Sequence, residues 1–234
     1  MLLIGIVLLR SVLAHNMTCE EIVASGKKLS LKELQSTDIS QILNCLSHLG
    51  SEEMPRDEAD FIWQSIVKNF RGVSNVPEEV LMVLHWVTPA ITAAEYANLT
   101  LSNIEVIENF GLDYNLSNEQ LAAIAERVRE DFADKEPEDY TFYDLTALRN
   151  ILCAFNRTEI ERIHPLAYKE ASQNIGKLKC KPDVMKAFAT LAIQKDAFGP
   201  PDKWDDVIVR VVGEVAKYLP KNIVDKLFYS PVKN

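Results

Sequence analysis

Apolar residues recur along this chain at intervals of three and four, the spacing that gathers them on one face of an α-helix. Ala59, Ile62, Trp63, Ile66, Val67 and Phe70 form one such stripe. It lies behind Pro55, a residue suited to a first helical turn. Leu121, Ile124, Val128 and Phe132 form a second stripe, and Leu145, Leu148, Leu152 and Phe155 a third. Val207, Ile208, Val211, Val212, Val215 and Leu219 form a fourth, rich in β-branched side chains but still spaced for a helix.

Helix starts carry their own mark. An apolar residue precedes Ser, Thr or Asn, Glu or Gln follows three places later, and another apolar residue comes next. The full pattern occurs at Met17-Thr18-x-x-Glu21-Ile22, Leu29-Ser30-x-x-Glu33-Leu34, Leu101-Ser102-x-x-Glu105-Val106, Leu116-Ser117-x-x-Gln120-Leu121 and Phe155-Asn156-x-x-Glu159-Ile160. Tyr140-Thr141-x-x-Asp144-Leu145 is a near match. Each predicts a capping box with a hydrophobic staple. The cap oxygen accepts from a free N–H of the first turn, the acid or amide reaches back to the cap's own N–H, and the flanking apolar pair clamps the chain. Strands have no use for such boxes, so the fold class is all-α.

Gly50, the stretch Gly72 to Pro77, Pro89, Gly111, Pro137, Pro165, Pro182 and Gly199-Pro200-Pro201 break the chain into helices of about 8–14 residues. Helices this short bury their faces only by stacking, as hairpins in a bundle or a solenoid. The box starts are unevenly spaced, so no strict period of the tetratricopeptide or ankyrin kind is expected, while a degenerate solenoid is compatible. No Gly/Ser linker divides the chain. Residues 15–234 read as one helical domain, with its weakest join near 71–77.

Residues 2–9 are an unbroken apolar run, and Val12-Leu13-Ala14 offers a small residue for cleavage. Residues 1–14 therefore read as a signal peptide, too short to span a bilayer. Four Asn-x-Ser/Thr sequons, at Asn16, Asn98, Asn115 and Asn156, agree with a secreted route. Chance predicts about one in a chain of this composition. The same Ser and Thr residues also serve as helix caps.

A secretory route changes the meaning of the four cysteines, Cys19, Cys45, Cys153 and Cys180, because secreted chains oxidise their thiols. Three connectivities exist. The local one, Cys19 with Cys45 and Cys153 with Cys180, is favoured, since each bridge then closes a loop of two short helices. Metal binding is not expected: no Cys-x-x-Cys occurs, and His15, His48, His85 and His164 form no close pair. The net charge of −9 disfavours nucleic acid. Asp57-Glu58-Ala59-Asp60 resembles a helicase motif, but no phosphate-cradling GxxxxGK[ST] accompanies it, and its acids fit the first turn of the Trp63 helix. No HExxH, GxSxG or paired carboxylates stand out, so no enzyme and no cofactor are expected.

One stretch carries a family likeness. Leu152-Cys153-Ala154-Phe155-Asn156-Arg157-Thr158-Glu159-Ile160, running on to His164-Pro165, resembles a recurring element of the mesothelin, stereocilin and otoancorin family. In that family a second Cys follows at a spacing that Cys180 matches. Phe198-Gly199-Pro200-Pro201 with Trp204, and Cys45-Leu46-x-x-Leu49-Gly50, are similar to further steps of the same family. Asn156-Arg157-Thr158 stands where the family has Ser-Pro-Glu. The resemblance implies an armadillo-like superhelix of helical hairpins. It implies a non-enzymatic extracellular glycoprotein mediating adhesion to matrix or to a mucin-like partner, in a chain that is a portion of a longer ectodomain. Membrane attachment would then come only through an anchor outside this sequence. The alternative is a secreted carrier of small apolar ligands, which requires a closed cavity lined by the Leu, Val and Phe stripes.

Overall fold

A computed structural model describes residues 18–26 and 28–229. The predicted leader and the sequon at Asn16 lie outside these residues. Among the described residues the secondary structure is all helical, with no strand. The helices are α1 (Cys19–Ser25), α2 (Leu31–Ser36), α3 (Ile39–Asn44), α4 (Leu46–Leu49), α5 (Arg56–Phe70), α6 (Glu78–Leu81), α7 (Ala93–Tyr96) and α8 (Ile104–Gly111). There follow α9 (Asn118–Asp131), α10 (Phe142–Leu148), α11 (Arg157–Arg162), α12 (Pro165–Ile175), α13 (Pro182–Ala192), α14 (Asp206–Val212) and α15 (Lys221–Tyr229).

The 3-10 segments between them reveal a period. His85–Ala90, Arg149–Ala154 and Gly213–Tyr218 begin in successive steps of 64 residues. Val73–Asn75, Pro137–Asp139 and Pro201–Lys203 do the same, as do α6, α10 and α14. The uneven boxes conceal this regularity because most of them occupy different places in the unit. Segment 71–77 holds one of the recurring corners.

Contacts follow two rows. In one, α6, α8, α10, α12 and α14 each touch the next. In the other, α2 meets α5, and α5 meets the 85–90 turn, whose successor α7 meets α9. From there α9 meets the 149–154 turn, α11 meets α13, and α13 meets the 213–218 turn beside α15. One cluster of buried apolar side chains runs through both rows.

The turn in each unit opens on a residue with positive φ: His85 (46°), Arg149 (41°) and Gly213 (59°). This break corrects two of the predicted stripes. Helix α10 stops at Leu148 and α14 at Val212, and the chain continues as 3-10. The third stripe is nonetheless buried throughout, because the tighter turn rotates Leu152 and Phe155 back toward the core. The fourth loses Val207, which is 63% exposed. Against each break lies a glycine of a neighbouring helix end. Trp86 N–H donates to Gly50 O at 2.9 Å, Asn150 Nδ2 to Gly111 O at 3.2 Å, and Glu214 N–H to Gly176 O at 2.8 Å.

Capping boxes form at Thr18, Ser30, Ser117, Thr141 and Asn156. The predicted box at Ser102 does not. Helix α8 starts one residue later, with Asn103 Oδ1 accepting from Glu105 N–H at 2.9 Å. Glu78 is the physical reason: its carboxylate accepts from Asn103 Nδ2 at 3.0 Å and faces the Ser102 hydroxyl at 3.4 Å, fixing both side chains. An additional box forms at Thr92, where Glu95 serves twice. Its Oε2 accepts from Thr92 N–H at 2.8 Å, and its Oε1 accepts from the buried Trp63 Nε1 at 3.1 Å. Replacing Asn103 by alanine is expected to cost about 1 kcal/mol, against under about 0.5 for Ser102→Ala. Urea midpoints that fell equally would contradict this placement of the cap.

Tyr168 is fully buried, stacked on Phe188 with ring centroids 6.0 Å apart, and its hydroxyl has no hydrogen-bond partner among the described residues. Burial alone pushes its pKa up. Removing an unsatisfied buried hydroxyl removes its desolvation cost, so Tyr168→Phe is expected to stabilise the fold by about 1 kcal/mol. A lower melting temperature in the variant would show that the hydroxyl is satisfied after all.

Candidate interaction surface

Two disulfides cross-link the described residues. Cys19 at the start of α1 is bonded to Cys45 between α3 and α4, with Cα atoms 5.1 Å apart. Cys153, in the 149–154 turn, is bonded to Cys180 just before α13, with Cα atoms 4.8 Å apart. Both separations suit an ordinary bridge. The two bridges are not copies of one another. The second joins the 149–154 turn to the segment between α12 and α13 of the same unit, whereas the first joins α1 to the α3–α4 junction.

The Cys153–Cys180 bridge lies in the wall of an open groove of about 670 Å³. One side is the loop Leu112 to Leu116 with the first turns of α9; the other is the segment from Lys177 to Lys181. Leu178 is buried and Cys180 is held by its bridge, so Lys177, Lys179 and Lys181 are left on the outside of that segment, all exposed. Among the described residues none of the three takes part in an ion pair, in contrast to Lys28, Arg56, Lys135, Arg149 and Arg162. Asp113 contributes one opposing charge, and Asn115, Asn118 and Asn150 add amide groups. The groove can therefore accept an acidic, hydrogen-bonding partner. Its walls are mainly polar, whereas the Leu, Val and Phe stripes are spent in the core. The Lys-x-Lys-x-Lys spacing was visible in the sequence. Its meaning was not, because only the inward anchors Leu178 and Cys180 turn alternation into a shared face.

The groove rests on a buried polar node. Asn109, 4% exposed, donates from Nδ2 to Leu81 O at 2.8 Å and accepts at Oδ1 from the Tyr114 hydroxyl at 3.0 Å. The Tyr114 oxygen also lies 3.4 Å from His85 Nδ1. Burial pushes the Tyr114 phenol up to about 12. This node fixes the loop that carries Asn115, whose φ of 57° is one that asparagine tolerates.

The sequons are dispersed. Asn115 lines the groove, Asn98 follows α7, and Asn156 caps α11. All three are exposed. Asn156 Oδ1 accepts from Glu159 N–H at 3.0 Å, leaving its nitrogen outside the cap bond, while Asn98 Nδ2 donates to Ala94 O at 2.7 Å. Among the described residues no helix is long and apolar enough to cross a membrane.

No protein-family model matches the chain. Over 144 residues it is 26% identical to otoancorin of Mus musculus, and to the same extent to otoancorin of Homo sapiens. The aligned part is 62% of this chain and 12% of each relative, so the chain spans a small part of the proteins it matches. This chain is thus a disulfide-bonded, all-helical protein with a distant likeness to otoancorin, compatible with an extracellular, adhesion-type protein.

Proposed function

We propose that this chain is a secreted, non-enzymatic glycoprotein that attaches cells to extracellular matrix or to a mucin-like glycoprotein. The observation that carries the reading is the likeness to otoancorin in a chain whose four cysteines are all bridged. Disulfides persist where the surroundings are oxidising, so the bridges support an extracellular site. The 64-residue period and the two contact rows support an armadillo-like superhelix, a form that offers long surfaces to partners. Residues 1–14 supply the leader in this reading, and Asn16, Asn98, Asn115 and Asn156 are the glycan acceptors. The groove edged by Lys177, Lys179 and Lys181 is the contact surface, meeting acidic groups of the partner.

The test is attachment. Beads coated with the purified chain are expected to be retained on matrix-coated or mucin-coated surfaces, and Lys177→Glu/Lys179→Glu/Lys181→Glu is expected to lower retention at least fivefold. Retention no higher than with the unfolded chain would refute the adhesive role. Retention unaffected by the triple variant would move the contact elsewhere. Small-angle scattering is expected to report an elongated particle; a compact sphere would refute the superhelix.

A further inference from the structure

The sequon at Asn115 and the basic segment face each other across the groove. Asn115 stands in the loop on one side, and Lys177, Lys179 and Lys181 edge the other. Its neighbours hold it there. Before it, Tyr114 is buried, its hydroxyl donating to Asn109 Oδ1 at 3.0 Å. After it, Leu116 packs against the core, and Ser117 Oγ accepts from Gln120 N–H at 3.1 Å to cap α9. With both flanks fixed, the loop does not swing Asn115 out of the groove wall. A sugar on its Nδ2 is therefore rooted inside the groove, beside Asn118 and Asn150. Among the described residues the Asn115 amide makes no hydrogen bond for the sugar to displace, whereas Asn98 and Asn156 use theirs at helix ends.

The sequence sets this sequon apart as well. Asn115-Leu116-Ser117 ends in serine, while the sequons of Asn16, Asn98 and Asn156 end in threonine. Serine sequons are filled less completely than threonine sequons, so bare and modified chains are both expected at Asn115. In the transfer, Asn115 Nδ2 bonds to the anomeric carbon of a lipid diphosphate-linked oligosaccharide. The bond from that carbon to the diphosphate oxygen breaks, the diphosphate leaves with the electron pair, and one amide proton passes to a base. The attached group is bulky and hydrophilic. We propose that an N-linked glycan on Asn115 closes the groove, so that Lys177, Lys179 and Lys181 meet an acidic partner only in chains left bare at this residue. The acidic partner comes from the proposed contact surface, on which this step rests, whereas closure is readable without any partner.

Asn16→Gln, Thr100→Ala and Thr158→Ala together leave Asn115 as the one acceptor in the full chain. Secreted from glycosylating cells, this variant is expected to divide on a lectin column into a retained fraction, modified at Asn115, and a bare one. An N-hydroxysuccinimide ester is then expected to acylate Lys177, Lys179 and Lys181 at least threefold more slowly in the modified fraction. Lys32, exposed on α2 and outside the groove, is expected to react equally in both. Beads coated with the bare fraction are expected to be held on matrix-coated or mucin-coated surfaces at least fivefold better than beads coated with the modified one. Asn115→Gly in the otherwise natural chain suits the φ of 57° and supplies a second bare groove, expected to acylate as the bare fraction does. A chain that is never modified at Asn115, or equal acylation of the three lysines in both fractions, overturns the closure. Equal retention of the two fractions overturns it as well. Slower acylation with neither fraction retained upholds the closure and refutes the contact surface instead.

Discussion

Replacing Gly111 by alanine is expected to destabilise this protein by about 3 kcal/mol or more, a drop of roughly 6–12 °C in melting temperature for a chain of this size. A Cβ on Gly111 would collide with the Ala147 carbonyl oxygen and lie 2.8 Å from that of Leu148. Both obstacles are backbone, so no rotamer change relieves them. Gly176 meets the next break in the same way, with Val211 O at 2.6 Å and Val212 O at 2.8 Å from its Cβ position. The double variant is expected not to fold. Gly26 is the contrast. Its φ is 60° but nothing lies within 4 Å, so alanine there meets only the left-handed backbone penalty, about 1 kcal/mol. Thermal unfolding of the three single variants separates close approach from backbone preference. Equal, small losses at all three would mean that the rows do not meet as closely as described.

Removing the Cys153–Cys180 bridge is the second large effect. Replacing both cysteines with alanine frees a loop with sequence separation 27. The chain-entropy account gives a loss of about 3.5 kcal/mol for a loop of that size. The consequence is also local. Cys180 holds the segment that displays Lys177, Lys179 and Lys181, so its release disorders the basic wall of the groove. The double variant should therefore melt earlier and expose residues 177–181 to protease before the rest of the chain unfolds. A variant that melts as the wild type does would show that the bridge is not closed in the folded protein.

Much of the helical structure was legible. The boxes at Thr18, Ser30, Ser117 and Asn156 encode their helix starts in side chains that bond within one turn, and local chemistry of that kind survives in sequence. The α5 stripe held because its helix runs fifteen residues without a break. The period was not legible. Leu81, Leu145 and Val209 share only apolarity, and the positive-φ corner is filled by His85, Arg149 and Gly213, three residues with no common chemistry. The repeat preserves a backbone path rather than side chains, and tertiary contact with Gly111 and Gly176 makes that path necessary. The Ser102 box failed for the same kind of reason. Glu78, distant in sequence, holds the Ser102 hydroxyl and the Asn103 amide nitrogen, so the cap passes from Ser102 to Asn103 Oδ1.

The groove was hidden at a further level. Its walls come from the loop after α8, the 149–154 turn and the segment before α13, and only folding brings these together. The cysteines announced a bridge there; nothing in their spacing announced a basic wall beside it.

Disulfide mapping of the chain collected from the medium of secreting cells, digested without reduction, tests the central claim most directly. An extracellular protein built on these rows yields two bridged peptide pairs, Cys19 with Cys45 and Cys153 with Cys180. Free thiols at these positions, or a bridge from Cys19 or Cys45 to Cys153 or Cys180, would contradict it.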